Sequence, residues 1–474
     1  MKILAGRSFR DLGKTGLALV GAAVAGLVVI VICLLLPHFA GAKDAPRPVP
    51  VATFLDSLGV NTHINFTGPD FVGYADTTIV SNSLRYIGFR HVRDSGRDYT
   101  PEQISRLTTV ARDAGVRLTL TPGSGGPVNL DGFLQAMRDI EARQPGALEG
   151  IEGLNEVNNV FMHQHWNVEY KGKAASMCRR DFAPVKALQA DLYKSVKADP
   201  KLKHLPVYAY TMVFIKKGLG DAICKADYQA DLKAVGAETN ADFANIHEYS
   251  FQGAPPREVL AGALARKSHV AGKPVVITET GFATDQNPAI PLWLSVSETV
   301  QAKYLLSSVF DAYTLGARRT YIYQLMDHAL DKPATDIEKH FGLFYADGRP
   351  KPAAVALRNL TRILADPGQG APAHSIPVSY SLKGAGYVPG MQLLLQKSDG
   401  TYLLALWAEP RIWNANTRSD IKVPAKTVEV TFDRDISNIA VYDPMKGVSP
   451  VSARASARML KVPVSDHPVL VSFK

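Results

Sequence analysis

The chain has 474 residues, of which 46% are hydrophobic and 20% are charged. This composition is typical of a globular protein with a large buried core, and it excludes a long disordered or fibrous chain. The net charge of +9 is spread along the sequence without a run rich in Lys and Arg, so we expect no nucleic-acid partner.

The N-terminus has the features of an export segment. A basic start precedes an uncharged, apolar stretch at residues 16–36, which is long enough to span a bilayer as a helix. Residues 40–42, Ala-Gly-Ala, have the small-x-small form of a signal cleavage site. We therefore predict a signal anchor or a signal peptide at residues 1–42, followed by a Pro-containing linker at 43–52. An anchor would hold the protein at the inner membrane facing the periplasm, whereas cleavage near Ala42 would make it periplasmic or secreted.

Cysteine usage fits an exported protein. Cys33 lies in the apolar stretch, whereas Cys178 and Cys224 lie in the part predicted to be exported. Disulfides persist in oxidising compartments. Cys178 and Cys224 are therefore candidates for a disulfide, and two free thiols are the alternative.

Short apolar runs alternate with longer amphipathic stretches over residues 53–365. Eight runs are predicted strands, at residues 57–64, 89–93, 117–121, 150–154, 207–211, 243–247, 274–278 and 319–323. Helical patterns occur between them, at residues 101–114, 130–143, 183–197, 256–270, 297–315 and 351–364. This alternation predicts an α/β fold, a (β/α)8 TIM barrel. A doubly wound open sheet is the alternative, but no GxGxxG turn follows the first run.

The pattern changes after residue 365. Residues 366–376 contain Pro and Gly and are predicted to be a linker. Short strand patterns then replace helical ones, at residues 392–396, 402–407, 427–432, 439–443, 459–463 and 468–473. Residues 377–474 are therefore predicted to form a C-terminal β-sandwich.

Two glutamates follow the fourth and the seventh predicted strands. The fourth strand ends in Asn155-Glu156, and Glu279 follows a run of β-branched residues. The carboxyl ends of barrel strands carry the chemistry of this fold, so the two glutamates are expected to face each other across one barrel mouth. Glycoside hydrolysis needs one carboxyl group that donates a proton to the leaving oxygen and one that attacks the anomeric carbon. We therefore predict Glu156 as the general acid/base and Glu279 as the nucleophile.

These motifs resemble those of clan A glycoside hydrolases, whose catalytic carboxylates follow strands four and seven. The resemblance covers most of residues 53–365 and is greatest to family 39, which also carries a C-terminal β-sandwich. It implies that the chain hydrolyses β-glycosidic bonds of a polysaccharide with retention, by double displacement. The N-terminal segment and the tail fit the branch of that family linked to bacterial exopolysaccharides.

Other strand ends supply candidate substrate-binding residues. The resemblance implies that Asn155 hydrogen-bonds the sugar 2-hydroxyl group and that the Tyr249 hydroxyl contacts the nucleophile. Arg93 ends the second strand, where a cation would stabilise the charge of Glu279. A purely structural pair with a neighbouring aspartate is the alternative for Arg93.

Histidines and aromatic residues complete the predicted cleft. His63 ends the first strand, and His247 either lines the site or is a core histidine with satisfied hydrogen bonds. Many relatives carry a Trp after strand eight, but this chain has Tyr323 or Gln324 near that place. Trp166 and Trp293 lie in the loops after strands four and seven, which border the cleft, and they are candidate platforms for a sugar face.

Three other functions compete with hydrolysis. A non-catalytic polysaccharide-binding or assembly protein would have the same fold, although it would not require both glutamates. A transglycosylase would use the same covalent intermediate. A metal hydrolase is a further alternative, because His163 and His165 have HxH spacing, but no third ligand is evident. We expect no cofactor and no metal, a polysaccharide substrate, and a monomer that contacts a membrane only if the N-terminal segment is retained.

Overall fold

The computed structural model describes residues 47–96, 99–159, 167–214, 224–225, 227–265, 270, 272–287, 295–331, 334, 336–366, 368 and 377–474. The predicted export segment, Trp166, Trp293 and the HxH pair lie outside these ranges. Within them, every helix is too short or too polar to cross a bilayer.

Eight parallel strands form the central sheet, and each coincides with a predicted strand. The strands are β1 Leu58–Asn61, β2 His91–Ser95, β3 Arg117–Thr121, β4 Leu148–Glu152, β5 Val207–Tyr208, β6 Ala244–His247, β7 Val275–Thr280 and β8 Thr320–Ile322. Their order in the sheet is β6-β7-β8-β1-β2-β3-β4-β5. Parallel bridges from Tyr208 to Phe243 and from Val213 to His247 bring the two edges together. The sheet is therefore a nearly closed (β/α)8 barrel, as predicted.

A helix follows each barrel strand, at Thr77–Ile87, Pro101–Ala114, Leu130–Arg143, Ala183–Ala198, Tyr228–Val235, Pro256–Ala265, Glu298–Thr314 and Pro352–Ile363. Local sequence explains the bounds of Pro101–Ala114. Thr100 and Gln103 form a reciprocal capping box at its start, and Gly115 ends it with a φ of 66°, a backbone conformation that favours glycine.

Two of the eight helices were not predicted. Thr77–Ile87 is rich in β-branched residues and serine, which have low helix propensity, and Tyr228–Val235 has only 8 residues. Caps and burial compensate in the first case. Asp76 accepts a hydrogen bond from the Thr78 N–H, and Gly88 provides a left-handed C-cap.

The C-terminal part is a β-sheet domain with its own hydrophobic core. Its strands are Tyr380–Lys383, Gln392–Gln396, Tyr402–Leu406, Lys426–Tyr442, Ser452–Val464 and Val469–Phe473, and all belong to one hydrogen-bonded sheet. The predicted strands 427–432 and 439–443 are parts of the single strand Lys426–Tyr442. The pairing register shifts between Thr431 and Ile436, where Asp433-Arg434-Asp435 interrupts the apolar pattern.

The predicted linker at residues 43–52 is in part regular structure. Val49–Pro50 pairs in parallel with Gln392–Gln396 and so adds an edge strand to the C-terminal sheet. The short helix Val51–Leu55 follows it directly. The proline-based linker prediction is therefore wrong for residues 49–52, because proline is tolerated in an edge strand.

A disulfide joins Cys178 to Cys224, with Cα atoms 5.2 Å apart. Cys178 lies in the loop between β4 and Ala183–Ala198, and Cys224 lies in the loop between β5 and Tyr228–Val235. Both loops leave the carboxyl ends of barrel strands, so the bridge links two neighbouring loops on the face where barrel chemistry occurs.

A buried aromatic and acidic cluster joins the barrel to the C-terminal sheet. The Trp407 ring packs on Phe310 with centroids 5.4 Å apart, and its Nε1 donates to Asp311 Oδ1 at 3.0 Å. Arg257 Nη1 also donates to Asp311 Oδ1, at 2.9 Å, and the Arg257 N–H donates to Glu409 Oε2 at 2.8 Å. Burial first, and then a hydrogen bond with Asp311 and its charge, raise the pKa of Glu409 well above its ordinary value. The two carboxyl groups therefore share a proton.

This shared proton makes stability depend on pH. Because the folded-state pKa of Glu409 is raised, its contribution to stability is full below its unfolded pKa and is lost progressively as the pH rises above that value. Glu409→Gln keeps a hydrogen-bond donor for Asp311 at every pH. The wild type should therefore lose stability relative to this variant as the pH rises from 5 to 9. The difference between their free energies of unfolding should change by at most about 1.4 kcal/mol per pH unit. Urea unfolding at pH 5, 7 and 9 measures this difference.

Glu429→Gln is the matched control, because the Glu429 carboxylate lies 3.9 Å from the ammonium groups of Lys383 and Lys461 on the sheet surface. A difference between Glu409→Gln and the wild type that does not change with pH would rule out the shared proton.

Candidate active site

Strand ends bring the two predicted glutamates together on the floor of a cleft of about 640 Å³. Glu156 follows β4 and is 6% exposed, and Glu279 lies within β7 and is 8% exposed. A carboxylate oxygen of each and a ring nitrogen of His247 all lie within 4.8 Å of one another. The cleft lining includes eight of the predicted site residues: His63, Arg93, Asn155, Glu156, His247, Tyr249, Glu279 and Tyr323.

The Arg93 guanidinium is the centre of the hydrogen-bond network beneath the cleft. Its Nε and Nη2 bind Glu152 in a bidentate pair at 2.6 and 2.9 Å. Nη1 donates to Glu279 Oε1 at 2.6 Å and to Asn61 Oδ1 at 3.0 Å, and Nη2 also donates to Asn155 Oδ1 at 2.7 Å. These contacts use all five N–H donors of the side chain.

Both oxygens of Glu279 are held by hydrogen bonds. Arg93 contacts Oε1, and the Tyr249 hydroxyl donates to Oε2 at 2.7 Å. Burial first, and then the Glu279 charge, raise the pKa of Tyr249 well above its ordinary value, so this hydroxyl keeps its proton. Gly281 permits the close approach of β7 and β8, because a Cβ there would lie 2.2 Å from the Tyr323 carbonyl oxygen.

Glu156 is held by its backbone and by two side chains. Its φ is 44°, in the left-handed region that non-glycine residues rarely adopt, and its N–H donates to Thr211 Oγ1 at 2.8 Å. Asn159 donates to Oε2 at 2.7 Å, and His247 Nδ1 lies 2.9 Å from Oε1. Burial alone would raise the pKa of Glu156, but the hydrogen bond and charge of His247, and then Asn159, lower it below its ordinary value.

The hydrogen-bond partners of Thr278 determine where the protons of His247 lie. Thr278 Oγ1 lies 2.9 Å from His247 Nε2, 2.7 Å from Asn245 Oδ1 and 3.3 Å from Glu152 Oε1. The last two atoms are acceptors, so Thr278 donates to one of them and accepts from His247 Nε2–H. The 2.9 Å contact between His247 Nδ1 and Glu156 Oε1 therefore also needs a proton, held by one atom or the other.

Aromatic rings form one wall of the cleft. His63 Nε2 lies 3.3 Å from the Tyr323 hydroxyl, and the His63 ring packs against Phe66, Phe71 and His328. Burial first, and then His328 and Arg93, lower the pKa of His63 well below its ordinary value. His63 is therefore neutral near pH 7, and it offers an uncharged polar group beside apolar rings.

Sequence reasoning missed two acidic residues of the site. Glu152 is fully buried in β4 and pairs with Arg93, and a charged residue inside an apolar strand was the available signal. Glu338 lies in the short 3-10 helix Ile337–His340 after β8 and lines the cleft. No local pattern marks Glu338, because its role depends on residues distant in sequence.

Glu156, His247 and Glu279 also form a donor set of the kind that binds metal ions. However, the Arg93 guanidinium already contacts Glu279 at 2.6 Å, and Tyr249 occupies its second oxygen. A cation between the glutamates would lie close to a buried positive charge. The arrangement therefore suits a shared proton better than a metal ion.

Comparison with known proteins supports the fold. No protein-family model and no curated protein matches the chain. A solved family 39 glycoside hydrolase from Bacteroides cellulosilyticus WH2 aligns over 91% of this chain and 83% of its own, at 16% identity and a TM-score of 0.55. The chain shares the fold of that protein.

Two further solved structures align over about two thirds of this chain. A family 17 β-1,3-glucanosyltransferase from Rhizomucor miehei covers 64% of this chain and 97% of its own, at 17% identity and a TM-score of 0.43. A GH5_18 protein from Streptomyces cattleya covers 66% and 82%, at 15% identity and a TM-score of 0.46.

Arg93→Lys tests whether the guanidinium network holds the barrel together. Lysine keeps the charge, but its three donors on one nitrogen cannot reproduce the bidentate pair with Glu152. The free energy of unfolding should fall by about 3 kcal/mol, because buried carboxylate oxygens lose their donors. Denaturant unfolding measures the loss. Arg112→Lys, at an exposed pair with Asp113, should change stability by no more than about 0.5 kcal/mol. Equal effects of the two substitutions would contradict a central role for Arg93.

Proposed function

We propose that this protein is a retaining glycoside hydrolase that cleaves β-glycosidic bonds in a polysaccharide. The observation that carries the proposal is the short separation of the two buried glutamates, whose nearest oxygens lie within 4.8 Å. Retaining enzymes place their carboxyl groups about 5–5.5 Å apart, whereas inverting enzymes need about 6.5–9.5 Å to hold a water between nucleophile and sugar.

The geometry supports a double displacement. In the first step a Glu279 oxygen bonds to the anomeric carbon, and the bond to the leaving oxygen breaks as that oxygen takes a proton from Glu156. In the second step a water gives a proton to Glu156 and attacks the anomeric carbon, which releases Glu279. Asn155 accepts from Arg93 through its oxygen, so its amide N–H groups are what it offers to a sugar hydroxyl.

His247 supplies the proton that general acid catalysis requires. The lowered pKa of Glu156 favours the ionised carboxylate, which alone cannot protonate a leaving group. Whenever Glu156 is ionised, the proton of the 2.9 Å contact lies on His247 Nδ1. Transfer across that contact prepares Glu156 for the first step, and the Thr278 hydroxyl holds the ring through Nε2.

We further propose that the substrate is a bacterial exopolysaccharide and that the protein acts outside the cytoplasm. The apolar stretch at residues 16–36 supports export, and so does the Cys178–Cys224 disulfide, since such bonds persist in oxidising compartments. Fractionation of the native host, with protease accessibility of intact spheroplasts, tests the location.

A panel of activated 2-fluoro glycosides tests the catalytic assignment. The wild type should accumulate a glycosyl adduct on Glu279, because the fluorine slows the second step, and Glu279→Gln should form none. Glu156→Gln should still be labelled by substrates with activated leaving groups, which need no proton. The same variant should lose activity on exopolysaccharide by about 10²–10⁴-fold. Intact mass and peptide mapping identify the site. An adduct on another residue would overturn the assignment, and glycan binding without any adduct or cleavage would favour a non-catalytic role.

His247→Gln separates proton supply from simple packing. Turnover on exopolysaccharide should fall about 10²-fold, because Glu156 loses its proton partner. The rate of adduct formation with activated 2-fluoro glycosides should change less than about 3-fold, because that reaction needs no acid. His204→Gln, on the exposed surface, is the control. Equal losses in both assays would show that His247 acts only on the structure of the site.

A further inference from the structure

The cleft has an acidic lining although the whole chain carries a net charge of +9. Among the described lining residues, Arg93 is the one Lys or Arg, and the acidic side chains are Asp94, Glu156, Glu248, Glu279 and Glu338. Burial lowers the pKa of His63 well below its ordinary value and that of His328 to about 4. These two histidines therefore add no positive charge near pH 7.

Arg93, the one Lys or Arg among the described lining residues, has no donor left for a substrate. All five N–H groups of Arg93 bind Glu152, Glu279, Asn61 and Asn155. Lys339 adjoins the cleft in sequence, but its ammonium group pairs with Asp70 at 3.1 Å and Asp336 at 3.6 Å. Among the described residues, no Lys or Arg of the cleft is therefore available to pair with a substrate carboxylate, which would lie near the Glu338 carboxylate instead.

Glu338 is placed to contact a substrate directly. It lies on the short 3-10 helix Ile337–His340, whose start is capped by Asp336, and its side chain opens into the cleft. The Tyr323 hydroxyl lies 3.3 Å from Glu338 Oε2 and also contacts His63. A carboxylate with solvent-facing acceptor capacity at this place binds groups that donate hydrogen bonds.

Charge couples Glu338 to the two catalytic glutamates. Enclosure by the cleft walls first, and then the charges of Glu279 and Glu156, raise the pKa of Glu338 above its ordinary value, although its side chain is exposed to solvent in the cleft. A substrate group that donates N–H or O–H hydrogen bonds relieves this repulsion, whereas a second carboxylate increases it.

We propose that Glu338 is a specificity-determining residue that accepts a hydrogen bond from a hydroxyl or ammonium substituent of the sugar and excludes uronic acids. The inference rests on the proposed glycosidase function, which it refines to neutral or amino-sugar polymers. Charged hydrogen bonds are the stronger kind, so an amino sugar should gain most from Glu338.

Matched aryl β-glycosides test this specificity by binding, independently of turnover. We would use the neutral, 2-amino and 6-carboxyl compounds of the gluco, galacto and manno series with the full chain, and measure dissociation constants by ligand-observed NMR at pH 7.5. In at least one series the wild type should bind the carboxylated compound at least about 10-fold more weakly than the neutral one. In Glu338→Gln, the ratio of the dissociation constants of the carboxylated and neutral compounds should fall at least 3-fold. The same variant should bind the amino compound more weakly relative to the neutral one.

Glu429→Gln, the same chemical change on the distant sheet surface, should leave all ratios unchanged. Equal binding of neutral and carboxylated compounds, no binding in any series, or unchanged ratios in Glu338→Gln would overturn the proposal. If the wild type prefers neutral over carboxylated compounds but forms no adduct on Glu279, the result would contradict the hydrolase proposal and leave the specificity proposal in place.

Discussion

The buried Arg93 guanidinium is the interaction on which the site depends. It lies in the middle of β2 and reaches residues on or shortly after β1, β4 and β7 through five hydrogen bonds. Burying such a charge is costly unless it is paired and fully hydrogen-bonded, so its partners cannot shift independently. The position of Glu279, the proposed nucleophile, is therefore set by the barrel itself and not by a surface loop.

The same network explains why a proton must be held beside Glu156. Glu152, Glu279 and Glu156 are three buried carboxyl groups, yet Arg93 is a single cation with two of them as partners. The remaining negative charge needs a second positive group or a proton. His247 meets this need at 2.9 Å from Glu156, and Thr278 connects its ring to Glu152. The proton between His247 and Glu156 therefore balances the charge of the buried carboxyl groups, and it lies where the proposed general acid needs it.

The sequence predicts those parts of the molecule that local patterns determine. Apolar runs of strand length predict all eight barrel strands, and in a barrel the position after a run indicates Glu156 and Glu279 as site residues. Local patterns do not predict site residues whose position depends on tertiary contacts. Glu152 appears in the sequence as an isolated acid inside a strand, and its partner Arg93 is 59 positions away. Glu338 lies at the cleft because β8, which precedes it, pairs with β7 and β1. The sequence around Glu338 does not indicate this pairing.

The C-terminal sheet packs against the barrel through Trp407, which is 1% exposed. The Trp407 ring packs on Phe310 of the helix Glu298–Thr314, which follows β7, and Trp407 donates a hydrogen bond to Asp311 of the same helix. Because this helix connects β7 to β8, fixing it also fixes the two strands that carry Glu279 and lead to Glu338. The sheet therefore helps to set the positions of these two strands through one helix.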